Sequence, residues 1–359
     1  MNRERISSYQ VAMLLVGFLL GSSIAANSIL TSKQDAWISF LIGWGAGFVL
    51  FSITIGIALL HPSKSLVGIL VDCFGKAAGK VVSLVYMAYF VLLAALITSN
   101  FGFYSTTTNY PETPILFFLV CIVTAACFCL LGGLETLGRA SEVMMAVTIL
   151  NIILSICFLV PVFRFAFLKP FLGNGMEPVL KFAFTRAMIP FSEVFLLLMI
   201  FPNVNDMKKA VRSSWLGFIA AGLILLSVVL RNLLVLGPDL GSREIFPTFV
   251  VFKMTPLSIS VEALFDINAA LTIVIKLSLF IFGASKGIAE VFGIQKYRKI
   301  IVPTAAVTVV LSCYLQKRIT DVLVVSAQIV PLTHLLFFAV FPLIVFIVSL
   351  IKRPVPAQN

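Results

Sequence analysis

Ala187-Met188-Ile189-Pro190-Phe191-Ser192-Glu193 is the stretch whose reading decides the fold. It lies near the middle of an apolar window, roughly 182–202, long enough to cross a bilayer, which takes about 20 residues. Proline offers no N–H to a helix and pushes the residue before it out of the helical region. A carboxylate at that depth is costly and rarely idle. The window therefore reads as a membrane helix interrupted beside an ionisable group.

A second interruption stands near the start, at Gly21-Ser-Ser-Ile-Ala-Ala-Asn-Ser28, inside the window 11–31. Gly21 and Pro190 are 169 positions apart in a chain of 359, close to half its length. Paired broken segments at equivalent places in two halves are the sequence pointer to an inverted-repeat transporter. Small residues alone would mark close helix packing, but two breaks five spans apart favour the repeat.

Composition agrees. Residues of the A/V/I/L/M/F/W/Y/C set make up 60% and charged ones 11%, with 33 phenylalanines, against about 25% charged in ordinary soluble domains. A soluble two-domain enzyme is excluded. The formal charge is +11, but the basic residues are scattered between apolar runs rather than gathered into a stripe, so no nucleic-acid partner is expected. Cys73, Cys121, Cys127, Cys129, Cys157 and Cys313 lie in or beside apolar runs without a CxxC pair and read as reduced packing residues. Val11 to Leu30 carries no charge and exceeds a signal-peptide core, so it reads as a retained span.

Ten windows fall at roughly 11–31, 36–60, 81–104, 114–134, 143–163, 182–202, 213–236, 263–285, 300–316 and 332–351. Helices satisfy the backbone in lipid and no barrel alternation is present. The expected fold is an all-α polytopic membrane protein, one domain over 1–359. It consists of ten transmembrane helices in a 5+5 inverted repeat (about 9–163 and 182–351) with discontinuous helices 1 and 6, as in amino acid transporters. With both termini in the cytoplasm, inside loops hold fifteen of the 26 basic residues and outside loops and outer helix ends ten, in keeping with the positive-inside rule. The remaining one is Lys276, within the eighth window.

At a break, backbone N–H and C=O groups lose helical partners and must meet a ligand, ion or water. A half-helix N-terminus favours an anionic group and the opposing carbonyls an ammonium, so a zwitterion such as an amino acid suits the site. The candidate ligand set is Gly21, Ser22, Ser23, Ile24 and Ala25 from the first break and Pro190, Phe191, Ser192 and Glu193 from the second. Tyr89 joins it from the third span, where it shares a face with Tyr86. Glu193 and Lys276 are the candidates for proton or charge coupling. Lys276 pairs with Glu193, takes a sodium ion's place between the broken helices, or reaches toward headgroups. Asp266, Glu262 and Arg231 read as interfacial at outer span ends, and His334 as interfacial at the start of the last span. No nucleophile–base set, phosphate loop or metal spacing is present, so neither catalysis nor a cofactor is expected.

The chain resembles the B subunits of endospore germinant receptors, the spore germination permeases of the amino acid–polyamine–organocation superfamily. The likeness runs in order through Ile6-Ser-Ser-Tyr-Gln10, Gly21-Ser-Ser-Ile24, Gln34-Asp-Ala-Trp-Ile-Ser39, His61-Pro62, Phe74-Gly75-Lys76 with Gly79-Lys80, and Thr113-Pro114. It continues through Gly132-Gly-Leu-Glu-Thr-Leu-Gly-Arg-Ala-Ser-Glu142, Phe246-Pro247 and Val261-Glu262. The chain departs from the family pattern after the first break, where Ser22-Ser23 and Ser28-Ile-Leu30 replace a Gly-Thr-Gly-like run and a proline. The resemblance implies a multi-pass protein of the spore inner membrane. It would act with an A subunit and a lipoprotein C subunit, recognise a nutrient, commonly an amino acid, and trigger germination. The residues alone allow a second reading, an active amino acid/proton symporter.

Overall fold

The computed structural model describes residues 4–21, 32–254, 262–315 and 318–352, and these are almost entirely helical. The first helix, α1 (Ser8–Leu20), starts at a capping box: Ser7 Oγ accepts from the Gln10 N–H and the Gln10 amide oxygen accepts from the Ser7 N–H. That arrangement satisfies two N–H groups that a helix start otherwise leaves bare. The first half continues as α2 (Ala36–Leu60), the short α3 (Leu66–Phe74), α4 (Lys76–Thr108), α5 (Ile115–Leu131) and α6 (Leu134–Leu159). The second half holds α7 (Met176–Met188), a 3-10 helix over Phe191–Met199, α8 (Met207–Arg243), the short α9 (Pro247–Lys253), α10 (Glu262–Phe292) and α11 (Arg298–Leu315). A last helical segment runs over Ile319–Lys352.

Among the described residues, eight helices have the length and hydropathy of membrane spans, and α1 and α5 are shorter apolar ones. Together they occupy the ten windows read from sequence. The ends differ in places. The third span is longer than 81–104 at both ends, and the last begins about thirteen residues before 332. Helix α8 carries Gly237 at φ 73°, followed by Pro238. Glycine alone tolerates that left-handed conformation cheaply, so the membrane helix stops where the window 213–236 stops.

Burial sorts the helices. In their most apolar windows the broken sixth span and α10 are each 83% buried, whereas α6, α11 and the last segment are 28% buried. The outer faces of the peripheral helices show large apolar side chains such as Phe128, Val143 and Leu332, which a lipid environment covers at no cost. Inside, α1 packs against α8, α6 and α10; α2 lies along α7 and the 3-10 helix; α10 runs along α4.

The family-like Gln34-Asp-Ala-Trp segment has a visible task. Asp35 Oδ1 accepts from the Leu172 N–H at 2.9 Å, the Gln34 amide reaches the Pro170 carbonyl, and Trp37 meets the Phe171 ring edge-on. It pins the fifth-to-sixth connection over α2. At the opposite end of the bundle, Ile6 bridges to the stretch after the sixth span, its N–H donating to the Asn203 carbonyl at 2.9 Å.

Candidate functional site

The sixth span breaks where its sequence says it should. Helix α7 ends at Met188, Ile189 is extended, the Ile189–Pro190 peptide is cis, and the chain resumes as a 3-10 helix from Phe191. The first span's α1 ends at Leu20 with Gly21 as its cap. Gly21 is placed so closely on α10 that an added Cβ would come within 2.8 Å of Lys276 Cβ and of the Thr272 carbonyl oxygen. No residue but glycine lets the two helices meet there. Ser22, Ser23, Ile24 and Ala25 lie outside the described residues.

Between the end of α1 and the break in the sixth span sits a buried charge cluster. The Lys276 ammonium on α10 donates to Glu193 Oε2, and it lies 5.0 Å from the centre of the Phe18 ring of α1. The other oxygen, Glu193 Oε1, is 3.0 Å from His334 Nε2 on the last segment. His334 Nδ1 is 2.8 Å from the Tyr89 hydroxyl on α4, which is 2.9 Å from Thr333 Oγ1; Thr333 in turn donates to the Val330 carbonyl. Lys276 and His334 have no exposed surface and Glu193 has 4%. Of the three sequence readings of Lys276, pairing with Glu193 is the one the geometry bears out.

Proton counting gives this chain a direction. With neutral His334, Nε2–H donates to Glu193 and the Tyr89 hydroxyl donates to Nδ1. With a proton on both ring nitrogens, Nδ1–H donates to Tyr89, whose hydroxyl turns to Thr333. Only in the second arrangement does the Tyr89–Thr333 contact carry a hydrogen, because the Thr333 hydroxyl already donates to the Val330 carbonyl.

The remaining candidates are placed differently. Ser192 donates to the Met188 carbonyl at 2.7 Å, bridging the break along its own chain. Phe191 packs in an aromatic group with Phe40 and Phe218, against Gly47 of α2. Neither side chain is hydrogen-bonded to the charge cluster among the described residues. Tyr86 donates to the Phe337 carbonyl and is a packing residue with one satisfied hydroxyl.

Two interfacial readings need correction. His334 is fully buried, because the last helix starts at Ile319 and carries His334 about four turns in. Arg231 is 2% exposed: α8 is covered there by α9 and α6, and Nη1 donates to Ser155 at 2.7 Å. Arg186, which the sequence reading did not single out, is 5% exposed on α7, with its guanidinium 4.7 Å from the Phe182 ring centre and Nε and Nη2 without a hydrogen-bond partner among the described residues. The sequence reading also overlooked Thr148, Asn151 and Ser155, which recur along one face of α6 and are all buried.

A family model described as spore germination protein matches residues 5–322. The chain belongs to the spore germination protein family. It is 31% identical to spore germination protein KB of Bacillus subtilis (strain 168), over 98% of this chain and 96% of that protein. The fold is that of solved transporters. MhsT in complex with L-phenylalanine matches with TM-score 0.67 at 13% identity, covering 99% of this chain and 100% of that one. Mhp1, a nucleobase-cation-symport-1 family transporter with bromovinylhydantoin bound, matches with TM-score 0.64 at 13% identity, covering 93% and 79%. The chain is thus a multi-pass membrane protein of transporter-like architecture.

Proposed function

We propose that this chain is the nutrient-recognising membrane subunit of a spore germinant receptor, taking a small zwitterion, an amino acid, beside its two broken helices and triggering germination on binding. Both termini face the cytoplasm, and the protein works in the spore inner membrane with an A subunit and a lipoprotein C subunit. One observation carries the reading: the buried Lys276–Glu193 pair at the breaks, in a member of the spore germination family. Lys276 supplies a fixed positive charge between α1, the 3-10 helix and α10, the place of a bound cation. The resting state is then held by a group that cannot leave, and a ligand ammonium that competes for Glu193 shifts the helices around it. A ligand acts only through such a difference in affinity between states.

The test is nutrient-triggered germination of spores whose only receptor of this type carries wild-type chain or Glu193→Gln. Loss of response at unchanged chain level supports the reading; an unchanged response removes it. A second reading, an amino acid/proton symporter, draws on the Glu193–His334–Tyr89–Thr333 chain, which can carry a proton. It requires labelled amino acid uptake into proteoliposomes driven by a pH gradient and abolished by Glu193→Gln. The receptor reading expects little uphill uptake.

A further inference from the structure

Next to the charge cluster is a cavity that neither reading uses. It is lined by Leu20 at the end of α1, Thr148 of α6, Arg231 of α8, Thr248 of α9, and Asn268 and Thr272 of α10, with apolar side chains between them. Thr272 lies one helical turn from Lys276, so the cavity adjoins the end of the first broken helix. Its free space comes to about 420 Å³, including the part continuous with solvent.

Its wall is unusual in charge. Arg231 is 2% exposed, yet among the described residues no carboxylate lies within ion-pairing distance of it. Its guanidinium makes three hydrogen bonds. Nε and Nη2 donate to Asn232 Oδ1 at 3.3 and 3.0 Å, and Nη1 donates to Ser155. A guanidinium has five N–H groups, so one on each Nη has no partner among the described residues. Asn232 is itself fixed, donating to Thr248 Oγ1 at 2.8 Å, and Phe252 lies under the guanidinium with 5.1 Å to the ring centre. The cation is thus held in one orientation by neutral groups. A buried charge so placed lacks the counter-charge that normally offsets its desolvation. Thr148, also in the lining, has a buried hydroxyl with no hydrogen-bond partner among the described residues.

We propose that this cavity binds the carboxylate of a small organic ligand, with the spare Arg231 N–H groups and the Thr148 hydroxyl as its donors. The two Nη donors suit the paired oxygens of a carboxylate better than a spherical halide. The inference rests on the receptor reading for its biological consequence: the ligand's carboxylate is held here while its ammonium lies toward Glu193. The binding site itself stands without that reading.

The test uses the full chain purified in detergent, with its melting temperature followed against propionate, L-alanine, propionamide and chloride. Propionate and L-alanine are expected to raise it, propionamide and chloride not. Arg231→Gln should abolish the shift. Because that variant can fail to fold, Thr148→Val is the second arm. It removes a hydroxyl with no partner, so the ligand-free melting temperature should stay level or rise while carboxylate affinity falls about tenfold or more. The proposal is overturned if no carboxylate stabilises the wild-type chain at tens of millimolar, if propionamide or chloride does as well, or if Thr148→Val binds like wild type. Carboxylate binding that is lost in Glu193→Gln but kept in Arg231→Gln and Thr148→Val also overturns it and leaves the receptor reading standing. Binding that depends on Arg231 and Thr148 in a chain that supports no nutrient response upholds this site and counts against the receptor reading.

Discussion

Both oxygens of Glu193 are engaged, one by Lys276 and the other by His334, with no water-facing side. Removing one member of such a pair leaves the other buried and uncompensated, which costs about 3–5 kcal/mol, whereas removing both costs far less. Glu193→Gln and Lys276→Met should each lower the melting temperature sharply, and the double variant should recover most of the loss. Additive losses in that cycle would contradict the pairing. Gly21 makes a second prediction at this scale. Even Gly21→Ala meets the Lys276 stem and a backbone carbonyl at 2.8 Å, so it should blunt the nutrient response, and Gly21→Leu should abolish it, with chain still inserted in the membrane. Glu193 and Lys276 were legible from sequence because charges stand out in apolar windows. Their third partner was not, since His334 is 141 positions from Glu193 and nothing periodic links them.

At the scale of elements, the sixth span is two short helices joined at Ile189–Pro190. A residue able to donate an N–H at position 190 favours a continuous helix, so Pro190→Ala should impair the response while leaving insertion and expression intact. A wild-type dose response would remove the break from the mechanism. The spans themselves were readable because each is a long apolar run, and Gly237 marked the seventh span's end by its chemistry. The last span was read too short because Gln328 and Pro331 interrupt its apolar run, although Val322 to Val330 is mostly apolar and extends it back to Ile319. Starting the span there would have put His334 deep in the membrane. The polar face of α6 was missed for a related reason: Thr148, Asn151 and Ser155 barely lower the hydropathy of their window. Only their spacing shows that they share a side, and only the packing of α8 shows that the side faces Arg231.

At the scale of the whole molecule, the cluster lies in a bundle whose opposite end is tied shut around Glu4. Its carboxylate accepts from Tyr297 at 2.8 Å, from the Leu134 N–H at 3.0 Å and from Arg298, joining the N-terminal segment to the α10–α11 and α5–α6 turns. Burial alone would raise the Glu4 pKa, but the hydrogen bonds from Arg298, Tyr297 and Leu134 outweigh it and hold the carboxyl below its ordinary 4.5. A depressed carboxyl contributes stability that is complete above the unfolded value and is lost as pH falls through the folded one. The tie should therefore hold at neutral pH and loosen in acid, below about 4.5. Hydrogen exchange over Glu4–Gln10 should rise there, and Glu4→Gln should produce the same rise at neutral pH. Exchange that is flat across this range, or unchanged in the variant, would remove Glu4 from the closure. The central claim, that the Lys276–Glu193 cluster is where a nutrient is sensed, is tested most directly by one germination screen. Common amino acids and sugars would be applied to spores carrying wild-type chain or the Lys276→Met/Glu193→Gln double variant, which is expected to keep its fold, and the fall in optical density followed. The account predicts a response to an amino acid that the double variant loses at equal chain level. A double variant that germinates like wild type, or a wild-type response to sugars alone, would contradict it.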